Sequence, residues 1–230
     1  MSKDDQRCCM TSSARILSAY LQQRSSLGRL RGHIARQNPQ AKAIVESCTS
    51  NVKSPAGVFL EHDVLILFNG PVNHYVTPKF YKQTRLNTGK VAPTWNYEAV
   101  ELYGKAKVYY DTRSADSALF LTKQLADLSE HMETSTMGFG KTPGTQPWKV
   151  ADAPDQYIEL LKKNIIGIEV EITSMSGRFK WSQEKPVGDR AGVIEGFKNL
   201  GTPNSTLLSE KVEKQAAIFD ANKAAKKPNV

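Results

Sequence analysis

Residues 27–39 read Leu-Gly-Arg-Leu-Arg-Gly-His-Ile-Ala-Arg-Gln-Asn-Pro, and this stretch predicts a strand that runs directly into a helix. Positions 30, 32 and 34 alternate with basic residues, which is the period of a strand. Asn38 is typical of a helix N-cap and Pro39 of the first helical position, so we expect a helix to about Ser47. A basic strand end beside a helix N-terminus combines backbone N–H groups with a guanidinium and suits a phosphate. The alternative is a strand–turn–helix with exposed arginines.

Patterns of period 2 and 3.6 continue through the middle of the chain. Strands are predicted for Val64–Phe68 and, more clearly, for Thr94–Asp111, where apolar and charged residues alternate. An amphipathic helix is expected over 114–132, and the leucines on its apolar side are Leu119, Leu121, Leu125 and Leu128. Residues 50–57 and 134–150 are rich in Gly, Pro, Ser and Thr and are predicted to be loops.

The last third of the chain predicts helices around one strong strand. Asp152 is expected to cap a helix that runs to about Asn164. The alternation from Ile166 to Ile172 predicts a strand with one buried face, and 174–177 is predicted to turn into a second strand that ends at Ser182. Asp189 is expected to cap the next helix, whose predicted core residues are Val193, Ile194, Phe197 and Leu200. A lysine-rich helix is predicted from Ser205 to Lys227.

Composition and charge limit the class of protein. The 230 residues are 40% apolar and 23% charged, which is the globular range. The longest aliphatic and aromatic run, Val64–Phe68, is far shorter than the ~20 residues of a membrane span. Three cysteines cannot form a disulfide framework and indicate a reducing compartment. The net charge of +8 accumulates within residues 1–110, which favours an anionic ligand or nucleic acid, although a moderately basic soluble protein fits equally well.

The N-terminus has some features of a targeting peptide. Arg15 and Arg24 flank apolar residues in the manner of a mitochondrial presequence, whereas Asp4 and Asp5 argue against one. No apolar segment is long enough for secretion. We therefore expect a cytoplasmic protein and leave a mitochondrial or nuclear location open.

Two segments beyond the first are dense in aromatic and polar residues. A planar ring could be flanked by four aromatic residues, namely Trp95, Tyr97, Tyr75 and Tyr81. Thr94 and Asn96 could bond its heteroatoms; the alternative is a dimer interface. The other segment places polar donors where a strand leaves the sheet, namely Lys180, Ser182, Gln183 and Arg190. A capping role for Asp189 explains part of that segment without a ligand.

Motifs for metals, nucleotides and nucleophilic catalysis are not found. The four histidines lack metal-ligand spacing, so no metal site is expected. The run 138–142 imitates the end of a P-loop but lacks its first glycine, and Pro143 follows it. No Ser/His/Asp set can be read from sequence order alone.

Taken in order, these segments resemble the PaiB family of FMN-binding negative transcriptional regulators, in the FMN-binding split-barrel superfamily. The matching text is 30–40, 70–81 and 88–97, with shorter matches at 147–148, 152–154, 167–169 and 180–193. The resemblance covers about residues 28–200, and Pro93-Thr-Trp-Asn-Tyr97 is its most specific part.

The resemblance implies an α+β fold, an FMN-binding split β-barrel (antiparallel) with peripheral helices, and a homodimer with FMN near the dimer interface. It places His33, Arg36 and Asn38 at the phosphate and ribityl end of the flavin. It implies that Thr94, Trp95 and Asn96 line the ring or the partner's edge of the pocket. Four residues are then expected to close the site: Lys180, Ser182, Gln183 and Arg190.

The N-terminal region departs from the family pattern. Family members carry a helix and two barrel strands before the Arg-Gly-His segment, whereas about thirty residues precede it here. Residues 1–27 are therefore predicted to be a short helical extension, 28–200 the split-barrel domain and 201–230 a lysine-rich helix and tail. We therefore expect either a truncated or alternatively started form that lacks N-terminal barrel strands, or a barrel that is completed differently. Missing strands expose unpaired edges and put FMN affinity in question.

Two functions from different classes follow. The first is an FMN-binding transcriptional regulator; no helix-turn-helix or zinc finger is present, so DNA contact is expected only through basic surface and to be weak. The second is a flavin-dependent oxidoreductase related to pyridoxamine phosphate oxidases or flavin reductases. No proton donor or substrate pocket can be assigned from the sequence, and we favour the regulator.

Overall fold

The computed structural model describes residues 9–11, 27–50 and 58–225. The strands are β1 (Cys9–Thr11), β2 (Arg29–Ala35), β3 (Val58–Phe59), β4 (Val64–Asn69), β5 (His74–Val76), β6 (Thr94–Tyr109) and β7 (Ile165–Lys180). The helices are α1 (Pro39–Ser50), α2 (Thr84–Asn87), α3 (Ala115–His131), α4 (Asp155–Lys163), α5 (Val187–Asn199) and α6 (Pro203–Ala225). None of the helices in this described part has the length and apolar character of a membrane span.

The strands pair in the order β1-β4-β6-β7-β2, and β3 and β5 also pair with β6. The β1–β4 pair is parallel, whereas β2–β7, β3–β6 and β5–β6 are antiparallel. The fold is therefore α+β with a mainly antiparallel sheet, as the predicted FMN-binding split barrel requires.

The chain divides into two compact units. Unit 1 consists of Met1–Leu67 and Glu101–Met175, and unit 2 of Phe68–Val100 and Ser176–Val230. Strands β4, β6 and β7 contribute residues to both units. Each unit has a buried apolar core of its own.

The core of unit 1 includes apolar residues at every second position of a strand. In β7 the residues Ile166, Ile168, Val170 and Ile172 are buried, which confirms the predicted strand face. Helix α1 begins at the predicted Pro39, and its Asn38 cap accepts a hydrogen bond at Oδ1 from the Gln40 N–H at 2.8 Å.

Helices α5 and α6 contribute half of the buried core cluster of unit 2. Its buried cluster includes Trp181, Phe197 and Leu208. A Cβ at Gly192 would lie 2.0 Å from the Phe80 carbonyl oxygen, so glycine is required for this close approach. Gly201 follows α5 with φ +66°, the left-handed conformation of the predicted helix-ending glycine.

Three predicted element boundaries were wrong. Strand β7 continues from Ile165 to Lys180, so 174–177 is not a turn. Helix α4 begins at Asp155, and Asp152 belongs to the preceding 3₁₀ turn, where its carboxylate accepts from the Lys149 N–H at 2.8 Å. Helix α5 begins at Val187. Asp189 lies in its first turn, but its carboxylate binds Gln83 and Thr84 at the start of α2 instead of capping α5.

Two predicted core leucines are exposed. Leu119 on α3 is 71% exposed, whereas Leu121 is buried. Leu200, the C-cap residue that follows α5, is also exposed, at 47%. The predicted N-terminal helix around residues 16–21 and the loop at 51–57 lie outside the described residues.

Candidate functional site

In unit 2, the start of β6 and the end of β7 bring four of the predicted site residues into two hydrogen-bonded pairs. The outer pair is Thr94 and Lys180, both half-buried, with the lysine Nζ donating to the Thr94 Oγ1 at 2.5 Å. Among the described residues, no carboxylate forms an ion pair with this ammonium group. A half-buried cation whose neighbour is a neutral hydroxyl is suited to an anionic or electron-rich ligand.

The inner pair is Asn96 and Ser182. Both are fully buried, and the Ser182 hydroxyl donates to Asn96 Oδ1 at 3.0 Å. Asn96 Nδ2 has no hydrogen-bond partner in the described part of the chain. Ser182 adopts φ 59°, which costs a non-glycine residue roughly 1–2 kcal/mol. Strain and an unused buried donor together are features of binding sites.

Gln183 and Arg190 are occupied by contacts within unit 2. The Gln183 amide accepts from the Trp181 N–H and donates to the Phe179 carbonyl, both at 2.6 Å, so it stabilises the chain reversal after β7. Arg190 is buried and binds Asp220 on α6 through two hydrogen bonds of 2.9 and 2.8 Å. Both residues therefore support the loop and helices behind Lys180.

Trp95 is accessible to a ligand or a partner. Its side chain is 48% exposed, and its indole N–H donates to Asn73 Oδ1 at 3.2 Å. Tyr75 lies opposite Trp95 in the β5–β6 ladder, and the two rings meet edge to face with centroids 6.4 Å apart. The pair provides an open aromatic surface next to Thr94 in sequence.

The remaining predicted residues lie in unit 1. His33 faces Gly167 across the β2–β7 ladder, and its Nδ1 is buried without a hydrogen-bond partner among the described residues. Burial lowers the pKa of His33, which favours the neutral imidazole. His33 therefore keeps one buried polar atom available for a ligand or a water molecule.

Arg36 and Asn38 have clear local roles. The Arg36 guanidinium donates to the carbonyls of Lys163 (3.2 Å), Tyr110 (2.6 Å) and Ile165 (3.3 Å), which ties the end of α4 to the residue after β6 and to the start of β7. The cavity beside Arg36 measures about 50 Å³, well below the ~300 Å³ of small-molecule pockets. Asn38 is the cap of α1.

Sequence reasoning missed Asp220 near the unit 2 cluster and the burial of Tyr81. Asp220 pairs with Arg190, 30 positions away, and only the packing of α5 on α6 brings them together. Tyr81 has a buried hydroxyl without a hydrogen-bond partner in the described residues. The predicted aromatic surface included Tyr81, but no signal in the sequence indicated that this tyrosine belongs to the core.

A protein-family model matches most of the chain. The family model described as "Putative FMN-binding domain" matches residues 2–174. This range includes His33, Arg36, Asn38 and the start of β6, and it ends before Lys180.

Relatives occur in fungi and in a bacterium. An uncharacterized protein of Aspergillus fumigatus is 53% identical over 197 residues, covering 84% of this chain and 75% of its own. An uncharacterized protein of Emericella nidulans is 50% identical over 196 residues, covering 85% and 76%. The Bacillus subtilis protein named "Protease synthase and sporulation protein PAI 2" is 27% identical over 182 residues, covering 79% of this chain and 70% of its own.

Proposed function

We propose that this chain, which belongs to the PaiB-type family of FMN-binding domains, binds FMN through the paired residues at the ends of β6 and β7 in unit 2. The observation that carries the proposal is the half-buried Lys180 ammonium, which is bonded to Thr94 and has no ion-pair partner in the described residues. FMN, when bound, supplies hydride and single-electron transfer chemistry.

The residues of this cluster fit the polar edge of a flavin ring. Lys180 and Thr94 provide a cation and a hydroxyl for its carbonyl oxygens and nitrogens. Asn96 Nδ2 is a buried donor without a partner among the described residues, and Ser182 holds the other end of the same amide. Trp95 and Tyr75 offer an aromatic surface for a planar ring.

The experiment compares Lys180→Met with Lys198→Met, an exposed lysine on α5 of the same unit. Flavin fluorescence is titrated with FMN and with riboflavin. Because Lys180 is assigned to the ring, we expect its loss to raise the Kd of both flavins about tenfold, the effect of one charge-assisted hydrogen bond. Lys198→Met should change neither. Wild-type affinity in Lys180→Met would remove this cluster from the flavin site.

The phosphate and ribityl end is assigned by the family resemblance to His33, Arg36 and Asn38. Two observations qualify this assignment: Arg36 already bonds three carbonyls, and Asn38 already caps α1. His33 retains an unused buried Nδ1. The phosphate role of Arg36 is therefore tested separately from that of His33.

We place the protein with regulators rather than enzymes because it resembles PaiB and because 27% identity links it to the sporulation protein of Bacillus subtilis. The working form in this proposal is a cytoplasmic homodimer. Assays of NAD(P)H consumption by the FMN-loaded protein separate the two classes. Steady turnover at rates typical of enzymes, on the order of 1 s⁻¹ or faster, would favour the oxidoreductase instead.

DNA binding by the chain itself is proposed to be weak and independent of sequence. The net charge is +8, and the chain carries no recognisable DNA-reading motif. Phosphate contacts should then dominate, so affinity should fall steeply between ~50 and ~200 mM salt. Nanomolar, sequence-selective binding at physiological salt in an anisotropy assay would contradict this.

A further inference from the structure

A cleft in unit 1 lies outside all the residues predicted for the flavin. It measures about 340 Å³, which is within the ~300–1,000 Å³ range of small-molecule pockets. One wall is the sheet, with Lys107 and Tyr109 of β6, and the other is helix α3, with Asp116, Leu119 and Phe120.

The middle of this cleft is aromatic and apolar. Phe120 stacks on Tyr109 with ring centroids 4.0 Å apart and planes at 10°. Gly167 permits this arrangement, since a Cβ there would lie 2.5 Å from the Phe120 ring. Leu119 leaves 71% of its side chain exposed, although it belongs to the helix that packs on the sheet. An apolar group in the cleft would remove this leucine from water.

Most charges of the cleft are already neutralised by partners. Asp127 binds both Arg31 (2.7 Å) and Lys123 (3.1 Å). Glu169 pairs with Arg29 at 3.2 Å. These pairs leave little capacity for a charged ligand at their own positions.

Two opposite charges in the cleft remain without ion pairs. Among the described residues, neither the Lys107 ammonium nor the Asp116 carboxylate forms a salt bridge, although both line this one cleft. The Lys107 ammonium lies over the Tyr109 ring, 5.1 Å from its centroid, and over the Phe59 ring at 6.0 Å. A cation and an anion that do not reach each other are complementary to a ligand that carries both charges.

We propose that this cleft binds a zwitterionic amino acid with an apolar, aromatic side chain. Lys107 would bind the α-carboxylate, Asp116 the α-ammonium group, and the side chain would lie against Phe120 and Leu119. Two charge-assisted hydrogen bonds and an apolar contact then define one class of ligand, and losing either charge of the ligand leaves one protein charge without a partner.

The test uses calorimetric titration of the full chain with L-phenylalanine, 3-phenylpropionate and phenethylamine. The last two compounds lack the ammonium and the carboxylate group, respectively. We expect phenylalanine to bind at least about tenfold more tightly than either, since each charge-assisted bond contributes roughly that factor. Equal binding of all three, or no heat from phenylalanine at millimolar concentration, would overturn the proposal.

Matched variants locate the site. Lys107→Met should reduce phenylalanine affinity about tenfold, and Asp116→Asn should reduce it to the level of 3-phenylpropionate. Lys105→Met is the control, because Lys105 lies two residues away on the same strand and pairs with Asp63 at 2.6 Å. Circular dichroism confirms that each variant is folded. Unchanged affinity in Lys107→Met, or displacement of phenylalanine by FMN, would show that the cleft does not have this role.

Discussion

The Ser182 hydroxyl donates a buried hydrogen bond to Asn96 across 86 positions of sequence, from a residue held at φ 59°. Ser182→Ala and Ser182→Gly both remove this hydrogen bond, but they differ in the conformational energy of the backbone at position 182. Ser182→Ala keeps a Cβ in the left-handed region, whereas Ser182→Gly does not. We expect alanine to lower the free energy of unfolding by roughly 1–3 kcal/mol and glycine by about 1 kcal/mol less, as measured by urea denaturation. Equal losses would mean that φ 59° carries no strain.

Asp189 gives a pH-dependent prediction. Burial raises the pKa of its carboxyl, but hydrogen bonds from Thr84 and from the Gln83 N–H outweigh burial, and the pKa is lowered overall. A lowered folded-state pKa means that the stabilisation is fully present above the unfolded pKa of about 3.9 and is lost as pH falls through the folded value.

Asp189→Asn should therefore destabilise the protein by roughly 1.5–3 kcal/mol at pH 7. The difference in the free energy of unfolding between wild type and variant should become smaller as pH falls below about 4. Denaturant unfolding at several pH values measures this difference. A difference that stays constant down to pH 3 would show that the ionised carboxylate is not the source of the stability.

Arg36→Ala tests the phosphate end of the proposed flavin site. If Arg36 contacts the phosphate, the Kd for FMN should rise about tenfold while that for riboflavin stays unchanged. Because Arg36→Ala also removes three hydrogen bonds to carbonyls, we expect the variant to be less stable than wild type. The titrations should therefore be made well below the melting temperature of the variant. Equal weakening of both flavins would leave Arg36 with a structural role alone.

Trp95→Ala tests the predicted homodimer. An exposed tryptophan beside an aromatic neighbour suits an interface, and we expect its loss to lower both dimer content and flavin occupancy. Light scattering at micromolar concentration reports the mass, and Trp148→Ala, another half-exposed tryptophan, is the control. A wild-type mass equal to the 25.5 kDa of one chain would exclude the dimer under these conditions.

Much of the fold follows from local pattern. The Asn38–Pro39 helix start, the alternation in β6 and the buried face of β7 were all predicted from periods and caps. The error at 174–177 has a physical reason: small polar residues are frequent in turns, but pairing with a neighbouring strand keeps them extended. Local propensity carries no information about that pairing.

In the candidate site, too, the sequence predicted individual residues but not the contacts between them. Sequence identified Thr94, Asn96, Lys180 and Ser182 as polar residues at strand ends, but their pairing spans 86 positions. Asp189 illustrates the limit most clearly, because its carboxylate binds residues about 105 positions earlier instead of its own helix. Contacts of this length depend on tertiary packing, which no local motif encodes.

FMN binding by this chain is tested most directly by an absorption spectrum. The purified protein is incubated with FMN, desalted and scanned through the visible flavin bands, with Lys180→Met treated in parallel. We expect a bound flavin spectrum close to one FMN per chain for wild type and a clear loss for the variant. A colourless wild-type protein after desalting, together with no fluorescence change on titration with FMN, would contradict it.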